Sequence, residues 1–348
     1  MVSINNTKCT ECGGKIENGT CIYCGNELNA DIYKTFDGLG DLNNYYTSIR
    51  LKIEKGIALT SEEDKNFYNM LKYKLIPDNE LDDLRIMYQI LIQNKIISYD
   101  TFELLLIRAT EKNMRQIASG NIRNYNPQAY IAPDDKCNGR AMKHYVLMLR
   151  KELVQKLYEG YFAAMITYYH EICHVKQSIE MELSSFRPEL MLMIKDMIIQ
   201  NFEYRFYQTK NYYEDNYENL PAEIEAEQVG INSTEKLLTS LYLSDNDGVL
   251  EERRKAWPGD VHNRNRKVRI NDKIEMVDID DVFLEMINKD PLYIDRYPIL
   301  KLEFINDNGN IRKRTKEELQ ELIDVFGSRI DIQGYLSEIM DNLNTYSS

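Results

Sequence analysis

His170, Glu171 and His174 lie in one short segment whose residue types and spacing suit hydrolysis at a metal ion. Two histidines four positions apart lie on one face of a helix, one turn apart, so both imidazoles can reach a single zinc ion. Glu171 is offset from that pair by one residue and can take a proton from a zinc-activated water. The H-E-x-x-H pattern therefore predicts a catalytic zinc site. A solvated helix face that matches by accident is the alternative.

A tetrahedral zinc that holds two histidines and a water needs one more protein ligand, commonly a carboxylate. Glu223, Glu225 and Glu227 follow Pro221, a residue that suits the first turn of a helix. Residues two apart on a helix point about 200° from each other, so Glu223 and Glu225 cannot serve the same ion, whereas Glu223 and Glu227 share a face. A solvated first turn that complements the helix dipole is the alternative for all three acids.

The H-E-x-x-H segment followed by Glu223-x-x-Ala226-Glu227 resembles the gluzincin metallopeptidases, whose third ligand is a glutamate on a later helix. The resemblance covers about residues 120–245. It implies that Glu223 is the third ligand and that Glu227 stands where an aspartate hydrogen-bonds a ligand histidine. Two features depart from the family pattern. Position 227 is Glu rather than Asp, and the 48 residues between His174 and Glu223 exceed the spacing of compact members.

This resemblance implies a zinc-dependent metallopeptidase that hydrolyses peptide bonds of an intracellular peptide or protein substrate. Glu171 would be the general base of that reaction. A non-catalytic zinc-binding scaffold, in which the zinc is structural and other segments recruit a protein partner, is the second hypothesis.

Four cysteines near the N-terminus predict a second metal site. Cys9-x-x-Cys12 and Cys21-x-x-Cys24 form two pairs, and each pair can direct two thiolates at one ion. The segment resembles a zinc ribbon and implies a structural zinc beside the catalytic one. Two disulfides are the competing interpretation. The short, polar segment Met1–Thr7 is unlike a secretory signal, which favours a reducing compartment, the cytoplasm, and hence zinc.

Composition and charge indicate which kinds of partner the chain is expected to bind. The 348 residues carry a net charge of −13, which disfavours nucleic acid as a partner. No run of 18 apolar residues occurs, so no membrane span is expected. The basic segment 253–273 breaks the acidic trend. It predicts either a solvated linker or a docking site for an acidic partner or for the acidic body of the chain. The zinc ribbon is the other candidate surface for a protein partner.

Cys173 and His144 are two further candidate residues, for which the sequence predicts a role less specifically. Cys173 points away from the histidine face, so a packed thiol is expected rather than a nucleophile. His144 could stabilise a transition state if an edge strand brings it near the zinc, and a structural histidine is the alternative.

Periodicity predicts the elements that must position these residues. The H-E-x-x-H helix is predicted over 160–183, and other helices over 41–55, 61–75, 79–95, 100–120, 188–210 and 221–241. Ser61 and Asp64 suggest a capping box at one of these helices. Residues 129–132 suggest a short strand. Residues 144–149 suggest either the edge strand beside the cleft or the start of the next helix.

The C-terminal part has a different pattern. Residues 298–305 predict a strand, Asn308-Gly309 a hairpin turn before residues 311–314, and the segments 315–326 and 332–343 helices. The fold class is therefore mainly α (α+β). Its four predicted segments are a zinc ribbon (1–28), a helical region (29–120), a zincin-like metallopeptidase core with a small strand element (121–245), and a basic linker with an α+β appendage (246–348).

Overall fold

The computed structural model describes residues 14–17, 20–24, 42–76, 96–118, 126–132, 139–142, 146–183, 187–202, 211–270, 273–326 and five positions between 332 and 340. This described part is mainly helical with small sheets, as the sequence predicts. Contacts divide the chain into two compact units. The first comprises Met1–Ile172 and Thr234–Asn246, and the second Cys173–Ser233 and Asp247–Ser348. Two of the boundaries fall inside the long helices Phe162–Glu182 and Pro221–Ser240. The two units therefore do not coincide with the four predicted segments.

The first unit contains two small sheets and the helices of the N-terminal half. Its elements are β1 (Ile16–Glu17), β2 (Thr20–Cys21), α1 (Leu42–Glu54), α2 (Ser61–Lys72), α3 (Tyr99–Ile117), β3 (Gln128–Ala132), β4 (Gly139–Met142), β5 (Val146–Arg150), α4 (Lys151–Tyr158) and the first half of α5 (Phe162–Glu182). These bounds confirm the helices predicted at 41–55, 61–75 and 100–120, while the helix predicted at 79–95 lies outside the described residues.

The capping box of α2 lies one residue earlier than the predicted Ser61 and Asp64. The Thr60 hydroxyl accepts from the Glu63 backbone nitrogen at 3.2 Å, and the Glu63 carboxylate accepts from the Thr60 nitrogen at 3.0 Å. Thr60 is extended, so the helix begins at Ser61. A glutamate at the third helical position is long enough to reach back to the cap, which explains the shift.

A three-stranded sheet lies before the H-E-x-x-H helix. Its order is β3-β5-β4, with β5 parallel to β3 and antiparallel to β4. Of the two structures predicted for residues 144–149, the strand is present, as β5 (Val146–Arg150). The predicted edge position is wrong, because β5 lies between β3 and β4. Leu147 and Leu149 on one face and Met148 on the other are all buried, which suits a strand covered on both sides.

The second unit combines the metal-motif helices with the C-terminal region. After the second half of α5 it contains α6 (Pro188–Phe202), α7 (Asn211–Asn216), the first part of α8 (Pro221–Ser240), α9 (Val249–Ala256), β6 (Asn265–Ile270), β7 (Lys273–Asp278), α10 (Ile279–Lys289), α11 (Leu292–Arg296), β8 (Phe304–Asp307), β9 (Asn310–Lys313) and α12 (Lys316–Val325). Leu190 and Ile194 of α6 share one hydrophobic core with Phe283 and Phe304 of the C-terminal region. This shared core makes α6 and the predicted appendage one unit.

The C-terminal hairpin is partly as predicted. Asn308 and Gly309 form the turn with φ of 56° and 91°, as a two-residue hairpin turn requires. The strand predicted over 298–305 was wrong in its first half, since Pro298–Leu302 is a 3-10 helix and the strand begins at Phe304. Proline fixes φ and lacks an N–H, which suits a helical first turn.

The basic segment 253–273 is not a solvated linker. It contains the end of α9 and strand β6, and it reaches the start of β7. The Arg266 side chain is fully buried and donates to both carboxylate oxygens of Asp196 at 2.8 Å. Arg253 and Arg264 also pair with acids of the same unit. These contacts agree with docking of the segment on the acidic body of the chain.

Among the helices of the described segments, none is long and apolar enough to cross a membrane.

Candidate metal centre

Helix α5 carries the H-E-x-x-H residues and is held at both ends by buried polar contacts. In the first unit, the fully buried Tyr168 has its hydroxyl 3.0 Å from Thr110 Oγ1 of α3. In the second unit, the side chain of Gln177 hydrogen-bonds the backbone oxygen of Ala222 in α8. A continuous helix between these contacts fixes His170 and His174 one turn apart.

His170, His174 and Glu223 offer three metal-ligating atoms that all lie within 4.8 Å of one another. His174 Nε2 faces Glu223 Oε2 at 3.5 Å. Glu223 lies in the first turn of α8, which begins at Pro221 as predicted. His170 and Glu223 are buried, and His174 is partly buried. The structure therefore brings together the three residues that the sequence proposes as zinc ligands.

The atoms of His174 and Glu223 that face away from this cluster contact two other side chains. His174 Nδ1 lies 2.8 Å from Gln177 Oε1. The Tyr213 hydroxyl donates to Glu223 Oε1 at 2.5 Å. Nε2 and Oε2 are thus turned towards each other. When the imidazole carries its proton on Nδ1, Nε2 and Oε2 are both acceptors, and a cation shared between them is then favourable.

Sequence reasoning missed Gln177 and Tyr213. The available signal for Gln177 is its spacing, because a residue three positions after His174 lies on the same helix face. No comparable signal exists for Tyr213, which comes from a separate short helix, α7.

Glu225 lies outside the ligand cluster and forms an ion pair on another side of α8. Arg187 donates to both of its carboxylate oxygens, at 2.8 and 3.0 Å. Burial opposes ionisation of Glu225, but hydrogen bonds from Arg187 and Gln177 hold its pKa below the ordinary value. This placement agrees with the argument that Glu223 and Glu225 cannot serve one ion.

Glu227 is buried, and its Oε1 lies 2.8 Å from Arg253 Nε. Its predicted contact with a ligand histidine stays a prediction. Arg253 belongs to α9, so the basic segment contributes a charge next to the ligand helix.

Glu171 and Cys173 flank the ligand face of α5. Glu171 is buried, with 9% of its surface exposed, and its role as general base stays a prediction. Cys173 is 2% exposed, and burial followed by the nearby Glu225 charge raises the pKa of its thiol to about 12. The thiol therefore stays protonated at neutral pH, in agreement with a packed side chain rather than a nucleophile.

The predicted structural zinc site is described only in part. The hairpin β1–β2 ends at the second cysteine pair, with Cys21 buried and Cys24 exposed. Cys9 and Cys12 lie outside the described residues, as does His144. The four-cysteine site therefore stays a prediction.

Two imidazole nitrogens and one carboxylate oxygen form a donor set that fits zinc in a hydrolytic site, where a fourth position is left for water or substrate. No protein-family model, no curated protein and no solved structure matches this chain. The gluzincin resemblance therefore rests on the residues and the geometry of this site alone.

Proposed function

We propose that this chain is a zinc-dependent metallopeptidase of the gluzincin type, with a zincin-like core. His170, His174 and Glu223 would hold the catalytic zinc. The observation that supports this most directly is the convergence of their ligand atoms within 4.8 Å. Two histidines and a carboxylate are a donor set typical of catalytic zinc in hydrolases.

A bound zinc would lower the pKa of a coordinated water towards neutrality and polarise the scissile carbonyl. Glu171 would accept a proton from the attacking water at its carboxylate and pass that proton to the leaving amine. Tyr213 engages Oε1 of Glu223 and so directs Oε2 towards the histidines. Glu171 on α5 is buried, and Tyr213 on α7 is partly buried.

We also propose a structural zinc bound by Cys9, Cys12, Cys21 and Cys24. Four thiolates require a reducing compartment, which fits a cytoplasmic protein. A closed site of this kind does no hydrolysis, so the ribbon would stabilise a small lobe or bind a protein partner.

The decisive experiment compares Glu171→Gln with the natural chain and with Glu182→Gln, an exposed acid on the same helix. Each full-length protein is loaded with zinc and incubated with a mixture of synthetic peptides, and cleavage products are identified by mass spectrometry. We expect equal zinc content in all three. Glu171→Gln should lose roughly 10²- to 10⁴-fold in cleavage rate, the usual contribution of a general base, and Glu182→Gln should lose nothing.

Two outcomes would count against the proposal. Cleavage by Glu171→Gln at the natural rate would remove the general base from the mechanism. Zinc binding without any cleavage by the natural chain would favour the non-catalytic zinc-binding scaffold.

A further inference from the structure

Gln177 lies one helical turn after His174 and is almost completely buried, with 2% of its surface exposed. Its side-chain oxygen lies 2.8 Å from His174 Nδ1. Its side-chain nitrogen donates to the backbone oxygen of Ala222 and to Glu225 Oε2, each at 2.9 Å. One amide therefore links a proposed zinc ligand to the first turn of α8.

These contacts determine which way the amide points. A backbone carbonyl and an ionised carboxylate can only accept hydrogen bonds, so the NH₂ group of Gln177 must face Ala222 and Glu225. A flipped amide would place its carbonyl oxygen against two other acceptors. The oxygen of Gln177 therefore faces His174, and Nδ1 of His174 must carry the proton.

A neutral imidazole has one N–H, so a proton on Nδ1 leaves the lone pair on Nε2. Nε2 is the atom that faces Glu223 Oε2. We propose that Gln177 is a positioning residue that sets the tautomer and ring orientation of His174, so that His174 meets the metal through Nε2. The tautomer is a property of the metal-free chain, whereas its use in binding zinc rests on the proposed function.

Arg187 extends this arrangement. It donates two hydrogen bonds to Glu225 and two to Glu180 Oε2, at 3.1 and 2.5 Å. Glu225 is thereby held where it can accept from Gln177. A carboxylate that binds the amide NH₂ also polarises the amide, which strengthens the hydrogen bond from Nδ1–H.

A purely structural role for Gln177 would consist of joining α5 to α8 through Ala222. The two roles respond differently to substitution. Gln177→Met keeps the length of the side chain and removes all three hydrogen bonds, so it abolishes both roles. Gln177→Glu combined with Glu225→Gln restores an acceptor for Nδ1–H without placing two carboxylates together, but it leaves the Ala222 oxygen without the amide.

The experiment uses full-length protein labelled with ¹⁵N-histidine and stripped of catalytic zinc by dialysis against a chelator. Long-range ¹H–¹⁵N spectra recorded over a series of pH values report which ring nitrogen carries a proton. The spectrum of His174→Gln assigns the signal. Zinc affinity is then measured for each variant by competition with a chromophoric chelator.

We expect the Nδ1–H form at His174 in the natural chain and in the double variant, and a different or mixed form in Gln177→Met. Zinc binding should weaken by roughly 10- to 100-fold in Gln177→Met and recover in the double variant, as for outer partners of metal ligands. An Nε2–H form in the natural chain overturns the proposal without any need for a variant. Zinc affinity in the double variant as low as in Gln177→Met overturns it too, since only a structural role predicts that result.

The outcomes for the tautomer and for the proposed function are separable. An Nδ1–H form together with zinc binding but no peptide cleavage leaves the role of Gln177 standing and removes the metallopeptidase. Peptide cleavage together with an Nε2–H form supports the metallopeptidase and removes the proposed role of Gln177.

Discussion

Lys195 on α6 is a buried cation whose removal should cost the second unit much of its stability. Its ammonium lies 2.6 Å from Asp280 Oδ1 and 2.6 Å from Glu303 Oε2, and the exposed fractions of the three side chains are 1%, 2% and 5%. Lys195→Met keeps most of the volume of the side chain. It therefore tests the charge rather than the packing.

The expected loss of unfolding free energy depends on which cations still contact Asp280 and Glu303 in Lys195→Met. Asp280 retains Lys313 at 2.8 Å and an ion pair with Arg264, so it remains compensated. Glu303 retains Arg264 at 3.9 Å, which is a weaker contact. Removing one partner of a buried ion pair costs roughly 3–5 kcal/mol, because the remaining charge stays out of water. We expect Lys195→Met to lose an amount in that range.

The loss should depend on pH. Burial, and then the charge of Asp280, raise the pKa of Glu303 above its ordinary value, while Lys195 opposes the rise. Without Lys195 the pKa of Glu303 rises further. An acid whose pKa is raised on folding contributes stability below its unfolded pKa and loses it as pH rises through the folded pKa. The deficit of Lys195→Met should therefore be larger at about pH 8 than at about pH 5.

Urea denaturation followed by circular dichroism measures the free energy of unfolding of each variant. Lys289→Met is the matched control, since Lys289 is exposed and pairs with Glu285 at 2.8 Å on a helix surface, where such pairs contribute less than about 1 kcal/mol. Lys195→Met with Glu303→Gln should recover part of the loss. If Lys195→Met and Lys289→Met unfold within about 1 kcal/mol of each other, the reasoning about buried charge is refuted.

Two further predictions concern the metals. Glu223→Ala should weaken binding of the catalytic zinc by roughly 100-fold or more, because about 10–16 kcal/mol of binding free energy is shared among four ligands in structural zinc sites. Chelator competition measures this, with the exposed Glu235→Ala on the same helix as control, and equal affinities would contradict the assignment of Glu223. Elemental analysis should find two zinc ions per chain, and one after Cys9→Ser with Cys12→Ser. A single zinc that this double variant leaves unchanged would contradict the ribbon.

The ligands could be predicted from the sequence because their geometry is local. His170 and His174 are four apart on one helix, and helical geometry alone separates Glu223 from Glu225. The helices were likewise predictable where the apolar spacing is regular, as in α2 and α3. Each of these inferences depends on residues within a few turns of one another.

The supports of the ligands could not be predicted in the same way. The contact between Tyr213 and Glu223 depends on how α7 packs beside α8, and no periodic pattern encodes that arrangement. Residues 144–149 suggest either an edge strand or the start of a helix, whereas β5 is the central strand. Its central place depends on pairing with β3 and β4, which a local pattern does not encode. Arg266 resembled a linker residue because a sequence of charges does not show that Asp196, 70 residues earlier, lies opposite.

The 48 residues between His174 and Glu223 have a physical role in the second unit. The intervening chain contains α6 and α7. Two neighbouring tyrosines of α7 hydrogen-bond to acids on two different helices, α6 and α8. Tyr213 donates to the proposed ligand Glu223, while Tyr212 donates to Asp196 of α6 at 2.5 Å, the same carboxylate that binds the buried Arg266.

Lys195, the residue before Asp196, also binds side chains of the C-terminal region. Lys195 binds Asp280 of α10 and Glu303 before β8, while Asp196 binds Arg266 of β6. Residues 247–348 therefore help to hold α6 and α7, and α7 in turn holds Glu223. A compact spacing would leave no chain for α7, and the oxygen of Glu223 that Tyr213 now engages would need another donor. We infer that the insertion and the C-terminal region support each other, and that the site depends on both.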